Sequence, residues 1–421
     1  MAHPFLGGRR LNCRMCASTS LVRYLDLGHQ PPADQFRTTE QISAEPVVLY
    51  PLEVYLCEAC GLSQLGYVVS PEILYQQDYP YESSTTASGR AHFAAFARSV
   101  VSSFGFDSTR LAVDVGSNVG VLLAGFAKEG MRIRGVDPAP NIVSLAEQRG
   151  IPTLVGFFSP EIARRLRDED GPASVITATN VFAHVDDLVS FMEAVELLLD
   201  PKGIFVIEAP SFLNLVRDLE YDTIYHEHLS YLSVRPLIRF FARFRMELFD
   251  VQEVDIHGGS IRLFVAREGQ ERIRPNVDRM LRREDEARIH ELGRLGDFAA
   301  AVERNRDQLR DLLYTLKRDG ARLAAVSAPA KGMTLLNYAR LGTDVLDFAT
   351  EKSTLKIGRF TPGGNIPVVG DDELVRRRPG YALLLAWNFA TEIMGNLRAY
   401  QEQGGRFILP IPEPCVVGGA D

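Results

Sequence analysis

The sequence has no excess of basic residues, no long apolar run and few cysteines, and each shortage removes a class of function. Lys and Arg number 46 against 54 Asp and Glu, a formal charge of −8. A nucleic-acid binder needs a concentrated basic face, so that class is disfavoured, although a few local cations can still hold an anionic metabolite. No window reaches the roughly 18 consecutive apolar residues of a membrane span. The first residues lack the apolar stretch of a secretory signal. A cytoplasmic monomer with neither nucleic-acid nor membrane partners is therefore expected. Internal repeats and low-complexity tracts are absent too. At 421 residues with 46% hydrophobic content, the chain is an ordinary globular one, too long for a single core.

Of five cysteines, four lie in the first sixty residues, as Cys13-x-x-Cys16 and Cys57-x-x-Cys60; Cys415 stands alone. In a reducing compartment two such pairs point to metal before they point to disulfides. Four thiolates suit a tetrahedral zinc ion and leave no open coordination position, so the ion is expected to be structural. It would hold a lobe with too little apolar mass to fold by burial alone. Gly61, just after Cys60, suits the positive φ of a knuckle turn.

Composition divides the chain at about residues 77 and 255. Residues 1–77 read as short strands and turns around the cysteines. Residues 78–255 alternate strands with helices: Leu111–Gly116, a helix over Val121–Lys128, Ile133–Asp137, Ser174–Thr179 and Gly203–Ala209, with a further strand at Arg262–Val265. Such alternation implies a parallel sheet with helical crossovers. Residues 256–421 hold one or two amphipathic helices between Asp278 and Arg318. After them come apolar runs at Leu323–Val326, Val345–Phe348 and Tyr381–Ala386, read as strands of a second α/β domain.

The loop Asp114-Val-Gly-Ser-Asn-Val-Gly120 ends a strand and opens a helix. Gly116 and Gly120 there let backbone approach a ligand, with Asn118 between them. Asp137, ending the next strand, is placed to accept ribose hydroxyls. A dinucleotide loop would read GxGxxG; here a carboxylate leads, which repels a diphosphate but tolerates a sulfonium and an ammonium. The loop favours S-adenosylmethionine over NAD. Asn180 and His184 follow the fourth strand at the same edge. The segment Tyr221–Tyr231 packs two His, a Glu, an Asp and three Tyr into eleven residues, a density that suits acid–base chemistry, a second metal or a structural polar turn.

On these residues the chain resembles the deoxysugar C-methyltransferases of antibiotic and cell-surface sugar biosynthesis from end to end. The paired CxxC knots, Asp114–Gly120, Asn180-Val-Phe-Ala-His184, Tyr225-His-Glu-His228, His257-Gly-Gly-Ser260, Ala330-Lys-Gly332 and Thr334-Leu-Leu-Asn337 carry the resemblance. It implies an α/β protein with a small N-terminal zinc lobe, a central Rossmann-like class I methyltransferase domain and a second, C-terminal Rossmann-like domain. It implies a dTDP-linked 4-keto-deoxysugar as acceptor. His228 would be the base that forms an enolate, while Tyr225, Glu227, His184 and Tyr79 orient the sugar or support the oxyanion. Asp114, Gly116, Asn118, Gly120, Asp137 and Asn180 would face the cofactor. His257, Lys331, Lys356 and Arg359 would face the nucleotide. Two departures stand out: Ser327 where the family often has Gly, and Val119 where Asp is common. Readings from other classes are an O- or N-methyltransferase, an NAD-dependent sugar-nucleotide epimerase or dehydrogenase, and a zinc-scaffolded binder without catalysis. The absence of GxGxxG and of a Tyr-x-x-x-Lys pair counts against the nicotinamide reading.

Overall fold

The computed structural model describes residues 7–76, 79–80, 82–83, 86–256 and 258–418. In the N-terminal lobe, strands Leu21–Gln30, Tyr50–Cys57 and Ser63–Leu65 pair antiparallel. A fourth strand of only two residues, Ser230–Tyr231, joins them from far along the chain. Leu25, Leu52, Val54, Leu56 and Leu65 are buried in one core shared with the rest of the molecule. The lobe thus gains from its neighbours the burial that its own length denies it.

The central sheet has seven strands: β1 Leu111–Val115, β2 Arg132–Asp137, β3 Thr153–Val155, β4 Ala173–Thr179, β5 Leu199–Pro210, β6 Met246–Val254 and β7 Ser260–Arg267. Their order is β6-β7-β5-β4-β1-β2-β3. Strands β1 to β5 run parallel, and β7 is antiparallel to both β5 and β6. The helices Val121–Lys128, Pro140–Gln148, Pro160–Asp170 and Leu188–Leu198 supply the crossovers. Strand order reverses between β1 and β4, which puts the ligand crevice at their C-terminal ends. β7 draws its residues from beyond position 255, so the sheet closes only at Arg267. Glu208 on β5 is clamped by His92 at 2.6 Å and by the Arg262 guanidinium at 2.7–2.8 Å, tying the helix Ala87–Phe104 to the sheet.

The helices Pro275–Glu286 and Leu292–Arg318 bridge to the last domain, interrupted at Arg288 with φ +56°. Leu295, Phe298, Val302, Leu309 and Leu313 are buried at helical spacing. Among them, the Asn305 side chain accepts from Tyr221 Oη (2.8 Å) and donates to the Pro410 and Pro412 carbonyls, joining two domains. The C-terminal sheet runs Val368–Gly370, Ala349–Glu351, Leu323–Val326, Tyr381–Leu384, Arg406–Leu409, Cys415–Val417, all parallel but the last. The strand expected at Val345–Phe348 forms instead at Ala349–Glu351. The N–H groups of Val345 and Leu346 turn back onto the Gly342 carbonyl, so these residues bury their apolar side chains in a turn. Ser327, directly after Val326, has φ +67°, keeping the left-handed conformation that glycine favours.

Candidate active site and metal centre

The two knuckles converge on one point. The sulfurs of Cys13 and Cys60 are 3.5 Å apart, those of Cys16 and Cys57 3.6 Å, and all four lie within 4.8 Å of one another. Four thiolates about 2.3 Å from a tetrahedral zinc would be separated by about 3.8 Å, so the cage fits the ion. Gly61 has φ +87°, as the turn requires, and its N–H closes on the Cys57 carbonyl at 2.8 Å. His290 donates from Nδ1 to the Gly61 carbonyl at 3.0 Å, seating the knuckle on the connector before the long helix.

At the crevice, Asp137 accepts the N–H groups of Asn118 and Ala139, both at 2.9 Å, which fixes the first loop against the second strand. The Asn118 side-chain oxygen accepts from the Ser83 N–H and hydroxyl. Gly116 and Gly120 have φ +65° and +79°, and packing also bars a side chain at each. A Cβ on Gly116 would lie 2.3 Å from Val181, and one on Gly120 2.6 Å from Ile151. Asp114 is buried within the sheet and accepts from Thr177 Oγ1 at 2.6 Å; burial pushes its carboxyl up to about 7. Asn180 has φ +55°. Its Oδ1, Thr179 Oγ1, Ser117 Oγ and His184 Nε2 are buried with no hydrogen-bond partner among the described residues. Buried polar atoms are normally paired. This concentration at the strand switch fits a polar cofactor such as S-adenosylmethionine.

His184 and His228 come together with ring centroids 4.9 Å apart, and Tyr225 lies 4.0 Å from His228. His228 Nδ1 sits 2.7 Å from the Thr223 carbonyl. A carbonyl only accepts, so Nδ1 carries the hydrogen, and in the neutral tautomer the lone pair falls on Nε2. Burial and the neighbouring His228 hold His184 well below the usual imidazole range. Tyr79 donates from its hydroxyl to Glu227 at 3.2 Å, while its ring packs with Val119, Ala139 and Ile142 beside the first loop. It therefore spans the two halves of the crevice. Burial, reinforced by Asp34, pushes Glu227 well above the carboxylate range, which favours its protonated form. His226, by contrast, donates to the Tyr50 carbonyl of the N-terminal lobe (3.3 Å), and burial lowers it to about 4. The two histidines of Tyr225–His228 thus have separate partners, one at the site and one in a structural seam.

The cations expected at the nucleotide are placed differently from solvent-facing residues. Lys356 is buried, with Nζ 3.0 Å from both Asp34 and the Ala328 carbonyl and 4.6 Å from the Phe36 ring. Lys331 Nζ is 3.5 Å from the buried Asp222 and 4.2 Å from the Trp387 ring, and the Trp387 indole donates to that same carboxylate. A diphosphate would compete with a carboxylate at each lysine. Arg359 is half-buried, three residues beyond Lys356, and His257 lies outside the described residues. Sequence reasoning missed Asp34 and Tyr75. Tyr75 stacks on His184 (6.4 Å, 11°) and meets Tyr79 edge-on at 5.6 Å. The i,i+4 spacing of Tyr75 and Tyr79 was the available signal; Asp34 in Pro31-Pro32-Ala33-Asp34 offered none.

Three family models cover the chain: a "zinc binding domain" over residues 13–75, a "methyltransferase domain" over 90–248 and a "C-methyltransferase C-terminal domain" over 255–412. C-methyltransferase NovU of Streptomyces niveus is 35% identical over 406 residues, covering 96% of both chains. The chain belongs to this C-methyltransferase family. Its cofactors are accordingly S-adenosylmethionine and zinc, and the nicotinamide reading left open by the first loop is closed. A ubiquinone biosynthesis O-methyltransferase of Methylobacterium sp. (strain 4-46) is 30% identical over 97 residues, covering 22% of this chain and 38% of that one. Among solved structures, an S-adenosylmethionine-dependent methyltransferase of Clostridium acetobutylicum ATCC 824 is 14% identical. It covers 43% of this chain and 92% of its own, with a TM-score of 0.35. Among the described residues no helix is long and apolar enough to cross a membrane.

Proposed function

We propose that this enzyme methylates the carbon α to the ketone, C3 or C5, of a nucleotide-linked 4-keto-deoxysugar, in deoxysugar biosynthesis. The nucleotide is taken to be dTDP. The observation that carries the reading is the bond from His228 Nδ1 to the Thr223 carbonyl, which fixes the ring with its hydrogen on Nδ1, so that the neutral imidazole would carry its lone pair on Nε2. Such a base removes an α-proton that only an adjacent carbonyl makes acidic. Glu227, pushed towards its protonated form by burial, is the donor for the resulting enolate oxygen, and Tyr79, whose hydroxyl donates to Glu227, holds that carboxyl in place. Tyr225 and His184 wall the base and orient the ring. S-adenosylmethionine, when bound, supplies an electrophilic methyl group to that nucleophilic carbon. Asp114, Gly116, Asn118, Gly120, Asp137 and Asn180 are assigned to the cofactor side. His257, Lys331, Lys356 and Arg359 are assigned to the nucleotide.

The test is incubation with a panel of dTDP- and GDP-linked 4-keto-deoxyhexoses in deuterated water. Exchange of the α-proton without cofactor, and a C-methylated product with it, are the expected results. His228→Asn should remove both, with a rate loss of about 10² to 10⁴, and leave S-adenosylhomocysteine affinity intact. An O-methylated product, or exchange that persists in His228→Asn, overturns the reading.

A further inference from the structure

The four cysteines of the zinc cage lie in the N-terminal lobe, and one knuckle residue reaches from there to the His184 and His228 loops. Arg14, between Cys13 and Cys16, is buried. Its backbone N–H donates to Gln64 Oε1 (2.9 Å), and Gln64 returns a bond to the Asn12 carbonyl (3.2 Å). Its guanidinium divides between two acceptors: Nη1 to the Leu65 carbonyl at 2.8 Å and Nε to Asp186 Oδ1 at 3.0 Å. Asp186 follows His184 by two residues and also receives Arg10 at 3.0 Å. On the other side, the Leu65 N–H donates to the Leu229 carbonyl at 3.0 Å, and Ser230 and Tyr231 pair with Gln64 and Ser63. Leu229 directly follows His228. The strand Ser63–Leu65 therefore grips the His228 segment through its backbone and the His184 loop through Arg14.

We propose that Arg14 is a positioning residue for the stacked His184–His228 pair, and that the zinc knuckle sets the geometry of the base through it. The inference rests on the assignment of those two histidines to the chemistry. A guanidinium is suited to the task because its planar fork holds two acceptors at fixed angles, which an ammonium does not. His184 is faced by His228 and by Tyr75, with ring centroids 4.9 and 6.4 Å away, so a shift of its loop would alter both contacts.

Arg14→Met and Arg14→Lys separate this role from simple attachment of the lobe, with Asp186→Asn as a variant outside the knuckle. Zinc content by mass spectrometry should stay at that of the wild type, and S-adenosylhomocysteine affinity should be unchanged. The ring nitrogens of the ¹⁵N-histidine-labelled enzyme, assigned with His184→Asn and His228→Asn, should show His184 titrating about one pH unit higher or more in Arg14→Met as its burial loosens. With a dTDP-linked 4-keto-6-deoxyhexose, kcat should fall about a hundredfold with KM little changed, and Arg14→Lys should recover only part. Wild-type histidine titration and kcat in a zinc-replete Arg14→Met overturn the proposal; if that variant loses zinc, the same outcome in Asp186→Asn does so. The titration needs no acceptor, so failure of the wild type to turn over the keto-sugar counts against the substrate reading alone.

Discussion

His226 offers a quantitative test of how the N-terminal lobe is joined to the catalytic segment. Burial lowers its pKa to about 4, and its ring donates to the Tyr50 carbonyl across the seam. In an unfolded chain the same imidazole titrates near 6.5. Above pH 6.5 both states are neutral and the seam is intact. As pH falls, the unfolded chain binds a proton that the folded one refuses, so stability is lost progressively down to pH 4. The loss works out at about 2 kcal/mol by pH 5 and about 3 kcal/mol by pH 4. His226→Gln keeps a donor for Tyr50 and removes the titration. Asp114 and Glu220, raised by burial to about 7 and about 8, act in the opposite sense because their contribution is lost as pH rises. They are common to both proteins and cancel in the difference. Urea unfolding at pH 7.5, 6, 5 and 4.5, followed by fluorescence, should show the wild type losing about 2 kcal/mol more than His226→Gln between pH 7.5 and 5. Parallel pH dependences in the two proteins would mean that His226 is protonated or solvated in the fold, and that the seam is not what it is described to be.

Ser327→Gly should stabilise the C-terminal domain by about 1 kcal/mol, read as a higher urea midpoint, because a side chain at φ +67° is strained; a lower midpoint would mean the Ser hydroxyl is needed there. Cys57→Ala should lose zinc and soluble expression, measured by metal content and yield, since three thiolates no longer close the cage; a stable, metal-free and fully active variant would show the knot to be dispensable.

The parts of the fold that were legible in the sequence are those written in local pattern. Alternating apolar runs gave both parallel sheets, and paired CxxC motifs gave the cage, because periodicity and ligand spacing are properties of short segments. The illegible parts depend on distant partners. Ser230–Tyr231 is a two-residue strand that exists only because Ser63 and Gln64 lie opposite. Val345–Phe348 has the composition of a strand, but the paired register begins at Ala349. β7 falls after a composition change at 255 and pairs back into the sheet before it.

The site follows the same division, and the division bears on why three lobes are needed. Tyr225, Glu227 and His228 were conspicuous as a dense polar run, but their environment comes from elsewhere. Glu227 is pushed towards its protonated form by burial and by Asp34, and Asp34 is in turn bound to Lys356 of the C-terminal domain. The carboxyl expected to serve the oxyanion therefore has its acidity shifted by residues from all three parts of the chain. Lys356, expected to face the nucleotide, is bound to Asp34 and so moderates the field on Glu227, since the lysine lowers what the aspartate raises. A ligand diphosphate that drew Lys356 away would leave Asp34 uncompensated and make Glu227 a still weaker acid. Occupation of the nucleotide side and protonation of the oxyanion donor would then be coupled through one buried ion pair. That coupling requires the lobes to close on a common seam, which the antiparallel bridge between Arg37 and Phe360 provides.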